Sequence, residues 1–241
     1  KYHQFIYQNQ IPIIKVSNDK NTERALSRVN QYFAIEPHEF ANSFLKQEMS
    51  FSLREEKFIE KIQQKIIPII HKKIEIIEQA EFTFPKISKC IVEQLQEKSD
   101  LYIGNSTAIR SFDSYSSLNQ KKSLSIHSHR GVSGIEGFLA ASSSFHKSKP
   151  NKTPTVLVLG DISFLHDLNS LNLIKDSSTP FIIVLINNFG GGIFSLVPFK
   201  DQYDVMPWMT TPHEYQFDKI CETFSIKHQF IYNYKDFKKE F

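Results

Sequence analysis

From Pro85 to Ile186, short apolar runs alternate with amphipathic stretches. Ile87–Glu97 has helical spacing, and Leu101-Tyr102-Ile103 reads as a buried strand running into Gly104-Asn105-Ser106. A helix is expected over Ala108–Ser117, a strand at Leu124–Ile126, a loop through Arg130-Gly131 and a helix over Ile135–Phe145. Thr155–Leu159 and Phe181–Ile186 are continuously apolar, with a helix expected between them at Leu165–Ile174. Strands apolar on both faces and separated by helices predict an α/β fold, a parallel sheet covered by helices on both sides. The end of another α/β domain precedes it, with extended stretches at Ile11–Val16 and Tyr32–Ile35, a polar turn at Asp19–Glu23 and a helix entered at Glu36-Pro37. Between them, Ser52–Gln79 carries Phe58, Ile59, Ile62, Ile66 and Ile70 at helical spacing on a solvated connector that Pro68 should kink or split. The expected division is therefore 1–48, the end of a preceding domain; 49–84, a helical connector; and 85–241, a ligand-binding domain.

Composition narrows the function. With 241 residues, 40% hydrophobic and 23% charged, the chain is globular. A net charge of +3, from 29 basic and 26 acidic side chains, gives no footprint for nucleic acid. The lysines of the connector helix are matched by glutamates. Two cysteines, Cys90 and Cys221, make no disulfide framework, so a reducing compartment is expected, the cytoplasm, or the plastid stroma if the gene is plastid-encoded. No apolar run approaches the roughly 20 residues of a membrane span, and no signal-peptide pattern opens the sequence. Lys1 at the start and a helical pattern at Phe237–Phe241 predict a piece of a longer polypeptide that lacks a last strand.

Ligands of parallel sheets bind beyond the carboxyl ends of the strands. That rule selects Gly104–Ser106, His127–Gly131, Gly160-Asp161 and Asn187-Asn188. A carboxylate and an amide oxygen converging from adjacent strand ends suit a hard cation such as Mg²⁺. Gly190-Gly191-Gly192 permits close backbone approach, and amides after Gly160-Asp161 and Asn105-Ser106 suit phosphate oxygens. Each residue also has a structural alternative. Asp161 and Ser106 read as helix caps, Arg110 and Arg130 as surface ion-pair partners, and Asn187 as a turn residue. His127 and His129 would point to opposite faces of an extended strand, which disfavours a shared zinc site, and His166-Asp167 would bond locally. The glycine run lacks the Gly-Lys-Ser/Thr of a P-loop, and Ser133 lacks a nucleophile-elbow pattern.

Gly160-Asp161 followed at this distance by Asn187-Asn188 resembles the metal–diphosphate motif of thiamin-diphosphate-dependent enzymes, with Ile162 where that pattern usually has a third Gly. Gly160–Asn169, Gly104–Ser106 with Arg110, Arg130–Gly137 and Asn187–Ser195 are similar to the menaquinone-pathway synthase branch, which also serves phylloquinone biosynthesis. The resemblance implies Mg²⁺ (or Mn²⁺) held by Asp161, Asn188 and the Gly190 carbonyl, with thiamin diphosphate beside Gly160, Ile162 and Ser163. Ile135 would lie beneath the cofactor, and Ile193 and Phe194 would line the pocket. Ser106 and Arg130 would meet the carboxylate of the 2-oxoglutarate-derived part, and Arg110 would face isochorismate. Guanidinium forks suit two carboxylate substrates. The implied reaction is decarboxylation of 2-oxoglutarate and addition of the succinyl carbanion equivalent to isochorismate. The resemblance further implies a homodimer or homotetramer whose activating glutamate lies on a neighbouring subunit's pyrimidine-binding domain, residues 1–48 being the end of the family's middle domain. Glu136 would be on the wrong domain for that task, so this stretch alone is expected to be inactive. An acetolactate-synthase-like carboligase and a non-catalytic assembly domain are the competing readings.

Overall fold

The apolar runs recognised above become neighbouring strands. The computed structural model describes residues 8–18, 29–46, 53–116, 122–132, 134–149, 153–174, 179–196 and 204–241; the expected turn at Asp19–Glu23 and Ser133 lie outside them. Two compact units divide after Ile69. In the first, β1 (Ile14–Val16) pairs in parallel with β2 (Gln31–Phe33). Helix α1 (Pro37–Leu45) follows, entered through Pro37 as expected, with Phe40 packed between Phe33 and Phe44. Helix α2 (Leu53–Gln79) runs without interruption through Pro68, so the expected split does not occur. Proline removes one backbone donor, and the carbonyl it frees lies on a solvent-exposed stretch where water can satisfy it.

The second unit carries the sheet. Its elements are α3 (Phe84–Gln94), β3 (Asp100–Ile103), α4 (Thr107–Tyr115), β4 (Ser125–His127), α5 (Phe138–Ser148) and β5 (Thr155–Gly160). These are followed by α6 (Asp161–Leu165), a 3₁₀ turn at Leu168–Ile174, β6 (Phe181–Ile186) and a second 3₁₀ turn at Gly192–Leu196. Short helices α7 (Met206–Thr210), α8 (Asp218–Thr223) and α9 (Tyr234–Glu240) complete it. The strand order is β4-β3-β5-β6 and every pairing is parallel.

Alternation of side chains across the strands builds two cores. Leu101, Ile103, Val156, Val158 and Val184 face Ile87 and Ile91 of α3, Phe112 of α4 and Phe237 of α9. On the other side Tyr102, Leu157 and Leu159 meet Phe138, Leu139, Phe164, Leu171 and Phe217. The sheet is thus covered on both faces, as its apolar runs predict. Strand β6 departs from the expectation of full burial: only Val184 is buried, and Ile182 is 36% exposed. It is the terminal strand among the described residues, so neighbours shield it on one flank only.

Helix boundaries also shift. Helix α3 starts earlier than periodicity indicates, because Pro85 fits its first turn, and stops where Leu95 turns extended. Helix α5 starts at Phe138 rather than Ile135, since Gly137 at φ 78° takes a left-handed conformation that no helix continues. The single helix expected over Leu165–Ile174 is instead a short α-helix and a 3₁₀ turn, with His166-Asp167 between them. Asp167 does more than bond locally: it accepts the Ser170 hydroxyl at 2.6 Å and, across the fold, the Ala140 amide at 3.0 Å. It therefore satisfies a donor in the first turn of α5.

His146, buried in α5, bonds Thr155 Oγ1 through Nδ1 at 2.8 Å. Burial pushes His146 below the ordinary histidine range, partly opposed by its bond to the Thr179 backbone, and burial does the same to His127. Below pH about 6.5 the unfolded chain binds protons that these folded imidazoles resist, so stability should fall on acidification. Urea midpoints at pH 7.5 and 5.5 check this. His146→Gln should shrink the difference, and an unchanged difference would assign the acid sensitivity elsewhere.

Candidate functional site

Because the four strands are parallel, their carboxyl ends share one edge, and Gly104–Ser106, Ser128–Val132, Gly134-Ile135, Gly160-Asp161 and Asn187–Gly190 all emerge there. Asp161 opens α6 and is 1% exposed. One carboxylate oxygen, Oδ1, accepts the Ile162 amide at 2.7 Å. The other, Oδ2, accepts the Asn188 amide at 3.1 Å and the Gly190 amide at 3.0 Å, reaching across from the tip of β6. Asp161 is thus not a simple cap of its own helix. It joins two strand tips.

The glycine loop is pinned from behind. The Gly191 amide donates to Thr210 O at 2.7 Å, and the His213 amide to Phe189 O at 3.3 Å. Gly190 is buried at φ 146°, and a Cβ there would meet Thr210 O at 2.7 Å. Its carbonyl accepts the Gly192 amide at 2.9 Å, which leaves a second lone pair. The Asn188 side chain lies beside Gly192, whose added Cβ would meet its Nδ2 at 2.5 Å. Asn187 is a turn residue: it donates to Tyr215 O and accepts the Phe189 amide, both at 3.3 Å. Ile193 and Phe194 are half-buried on the 3₁₀ turn that follows.

Ser106 precedes α4 at φ 66° and ψ −132°, and its hydroxyl makes no capping bond. That is a strained backbone for a non-glycine residue. One turn on, Arg110 donates to Ser106 O at 2.7 Å. Neither Arg110 nor Arg130 is paired with a carboxylate among the described residues, and both are exposed at this edge. Ile135 is half-buried in the loop before α5. That loop is fastened to the β3 tip by Asn105 Nδ2, 2.6 Å from Gly134 O. Glu136 turns back to accept the Gly134 and Ile135 amides at 3.4 and 2.9 Å.

The histidines behave differently from the extended-strand expectation. Strand β4 ends at His127, so strict alternation ends too, and both rings pack around Tyr102. His127 stacks at 5.9 Å between centroids, and His129 Nε2 lies 2.5 Å from the Tyr102 hydroxyl. Among the described residues no group of three His, Cys, Asp or Glu side chains is placed to hold a metal. What the edge offers instead is hard oxygen: one carboxylate, one amide side chain and a backbone carbonyl beside glycines that leave room. That set fits a Mg²⁺-type ion whose remaining ligands are phosphate oxygens and water, which prefers few protein donors.

Sequence reasoning missed His213. It lies far along the chain from Asp161, yet its Nε2 is 3.3 Å from Asp161 Oδ2 and its side chain is 5% exposed. No local pattern around Pro212-His213 announces this contact.

Comparison with known proteins agrees with the geometry. The family described as "Thiamine pyrophosphate enzyme, C-terminal TPP binding domain" matches residues 106–241. A 2-succinyl-5-enolpyruvyl-6-hydroxy-3-cyclohexene-1-carboxylate synthase from Syntrophus aciditrophicus is 40% identical over 151 residues, covering 62% of this chain and 26% of the relative. The synthase of the same name from Chlorobaculum parvum is 36% identical over 147 residues, 61% of this chain and 24% of its own. That from Chlorobium phaeobacteroides is 31% identical over 240 residues, 97% of this chain and 40% of its own. The chain thus spans between about a quarter and two fifths of the length of these curated relatives. No helix among the described residues is long and apolar enough to cross a membrane. A carboxylate bound to the glycine loop of the next strand, at the ligand-bearing edge of a parallel sheet, and a family match over more than half the sequence lead to one conclusion: the chain belongs to the thiamine pyrophosphate enzyme family and carries its C-terminal cofactor-binding domain.

Proposed function

We propose that this chain is the diphosphate-binding part of a synthase that decarboxylates 2-oxoglutarate and adds the resulting succinyl unit to isochorismate, giving 2-succinyl-5-enolpyruvyl-6-hydroxy-3-cyclohexene-1-carboxylate. The observation that carries it is the Asp161 carboxylate gripped by the amides of Asn188 and Gly190. The names of the relatives supply the product. Asp161, the Asn188 side chain and the Gly190 carbonyl would hold Mg²⁺ (or Mn²⁺), with Gly160, Ile162 and Ser163 beside the diphosphate. Bound thiamin diphosphate supplies the electron sink that decarboxylation needs.

The protein's own side chains bind and orient. Arg130 and the uncapped Ser106 hydroxyl would take the carboxylate of the first substrate, and Arg110 that of the second, each guanidinium offering paired donors. The bond from Arg110 to Ser106 O ties the two contacts together. Ile135, Ile193 and Phe194 would form the apolar wall that excludes water. Glu136 is unsuited to activate the cofactor, because its carboxylate is committed to the amides of its own loop. An activating glutamate from a neighbouring subunit of a dimer or tetramer fits that arrangement.

The test is product formation by the full-length protein from 2-oxoglutarate and isochorismate with thiamin diphosphate and Mg²⁺, followed by mass spectrometry. Acetolactate formed from pyruvate, with 2-oxoglutarate left untouched, would overturn the substrate assignment.

A further inference from the structure

We propose that His213 is a positioning residue for the Asp161 carboxylate, its Nε2 set against Oδ2 so that the carboxylate is held with Oδ1 presented to a cation. This rests on the metal-binding reading above.

The His213 ring is oriented by its surroundings. Its Nδ1 accepts the Tyr215 backbone amide at 3.2 Å, which places the ring proton on Nε2. That Nε2 is buried and, among the described residues, forms no aligned hydrogen bond; Asp161 Oδ2 lies 3.3 Å away. Tyr215 stacks on the ring at 4.9 Å and 19°, while Phe189 and Phe217 meet it edge-on at 6.0 and 6.3 Å. A buried donor without an aligned partner costs stability, so its placement beside a carboxylate calls for a role. The two oxygens of Asp161 are unequally served. Among the described residues, Oδ2 faces the Asn188 and Gly190 amides and His213, whereas Oδ1 meets the Ile162 amide alone. Oxygen lone pairs committed to donors are unavailable to a metal, which leaves Oδ1 for that task. The hydrogen bond from Gly191 to Thr210 O further couples the His213 segment to the glycine loop.

The experiment is a Mg²⁺ titration of the full-length protein by calorimetry at saturating thiamin diphosphate. His213→Leu should weaken Mg²⁺ binding about 10–100-fold, the usual size of an effect exerted through a ligand's partner. His213→Gln, which keeps a donor at comparable reach, should recover most of it. Wild-type affinity in His213→Leu overturns the proposal, as does equal loss in both variants with matching falls in melting temperature. Absence of any Mg²⁺ response in the wild type sinks the metal reading itself. A further measurement needs neither variant nor cofactor: imidazole ¹⁵N shifts of the cofactor-free protein should show Nδ1 unprotonated and Nε2 protonated, and the reverse pattern overturns the assignment.

Discussion

Asp161→Ala is expected to abolish Mg²⁺-dependent binding of thiamin diphosphate and to destabilise the second unit as well. Calorimetric titration with cofactor and metal, beside urea unfolding without them, separates the two effects. The carboxylate, 1% exposed, accepts amides from Ile162, Asn188 and Gly190. Alanine leaves these donors without their acceptor, at a cost of about 1–3 kcal/mol for each one that water cannot reach. Gly190 is buried, so at least its amide incurs that cost. Asp161→Asn separates charge from shape. It keeps an oxygen of similar reach but has no negative charge to offer a divalent ion, so affinity should fall by at least two orders of magnitude with a smaller loss of stability. Retention of Mg²⁺-dependent cofactor binding by either variant would remove the central support of the proposed function.

Gly190→Ala should be nearly as damaging, though it deletes nothing. At φ 146° an L side chain is strained, and here the new Cβ would also lie 2.7 Å from Thr210 O and 3.5 Å from Pro212 Cα. Both obstacles are backbone, so the loop itself must move. The strained conformation alone costs on the order of 1–3 kcal/mol. Displacing the loop withdraws the Gly190 amide from Asp161 and shifts the carbonyl assigned to the metal, so cofactor affinity should fall by at least tenfold. Gly160→Ala is the internal control. It adjoins Asp161 equally closely, but its backbone is extended at φ −82° and a Cβ there meets nothing within 4 Å. A melting temperature near wild type for Gly160→Ala, against a clear fall for Gly190→Ala, would establish that packing rather than glycine as such governs this edge.

The sheet was legible in the sequence because its strands are short apolar runs between helices, a signal that arises from burial on both faces. The ligand edge followed from parallel topology, and Asp161 with Asn188 followed from their places within two residues of the strand ends. Helix ends were less readable. The late start of α5 depends on the backbone angle of Gly137, and the break after Leu165 accompanies an Asp167 side chain committed to Ala140 in another helix. Strand β6 misled because an apolar run reports what a residue tolerates, not which neighbours cover it. His213 was invisible for a related reason: its relation to Asp161 is made by folding across 52 residues of separation, and spacing rules act only within a turn or a strand. Ser106 read as a helix cap from its position alone, and the structure removes that reading, since its hydroxyl makes no capping bond.

Strand β5 supplies Val156 and Val158 to one core and Leu157 and Leu159 to the other before delivering Asp161. A one-residue insertion or deletion there would exchange the two sets and turn the following carboxylate to the wrong side. Related chains can therefore accumulate length changes in the loops between elements, while the count from the first buried residue of this strand to its acid is frozen by the packing on either side.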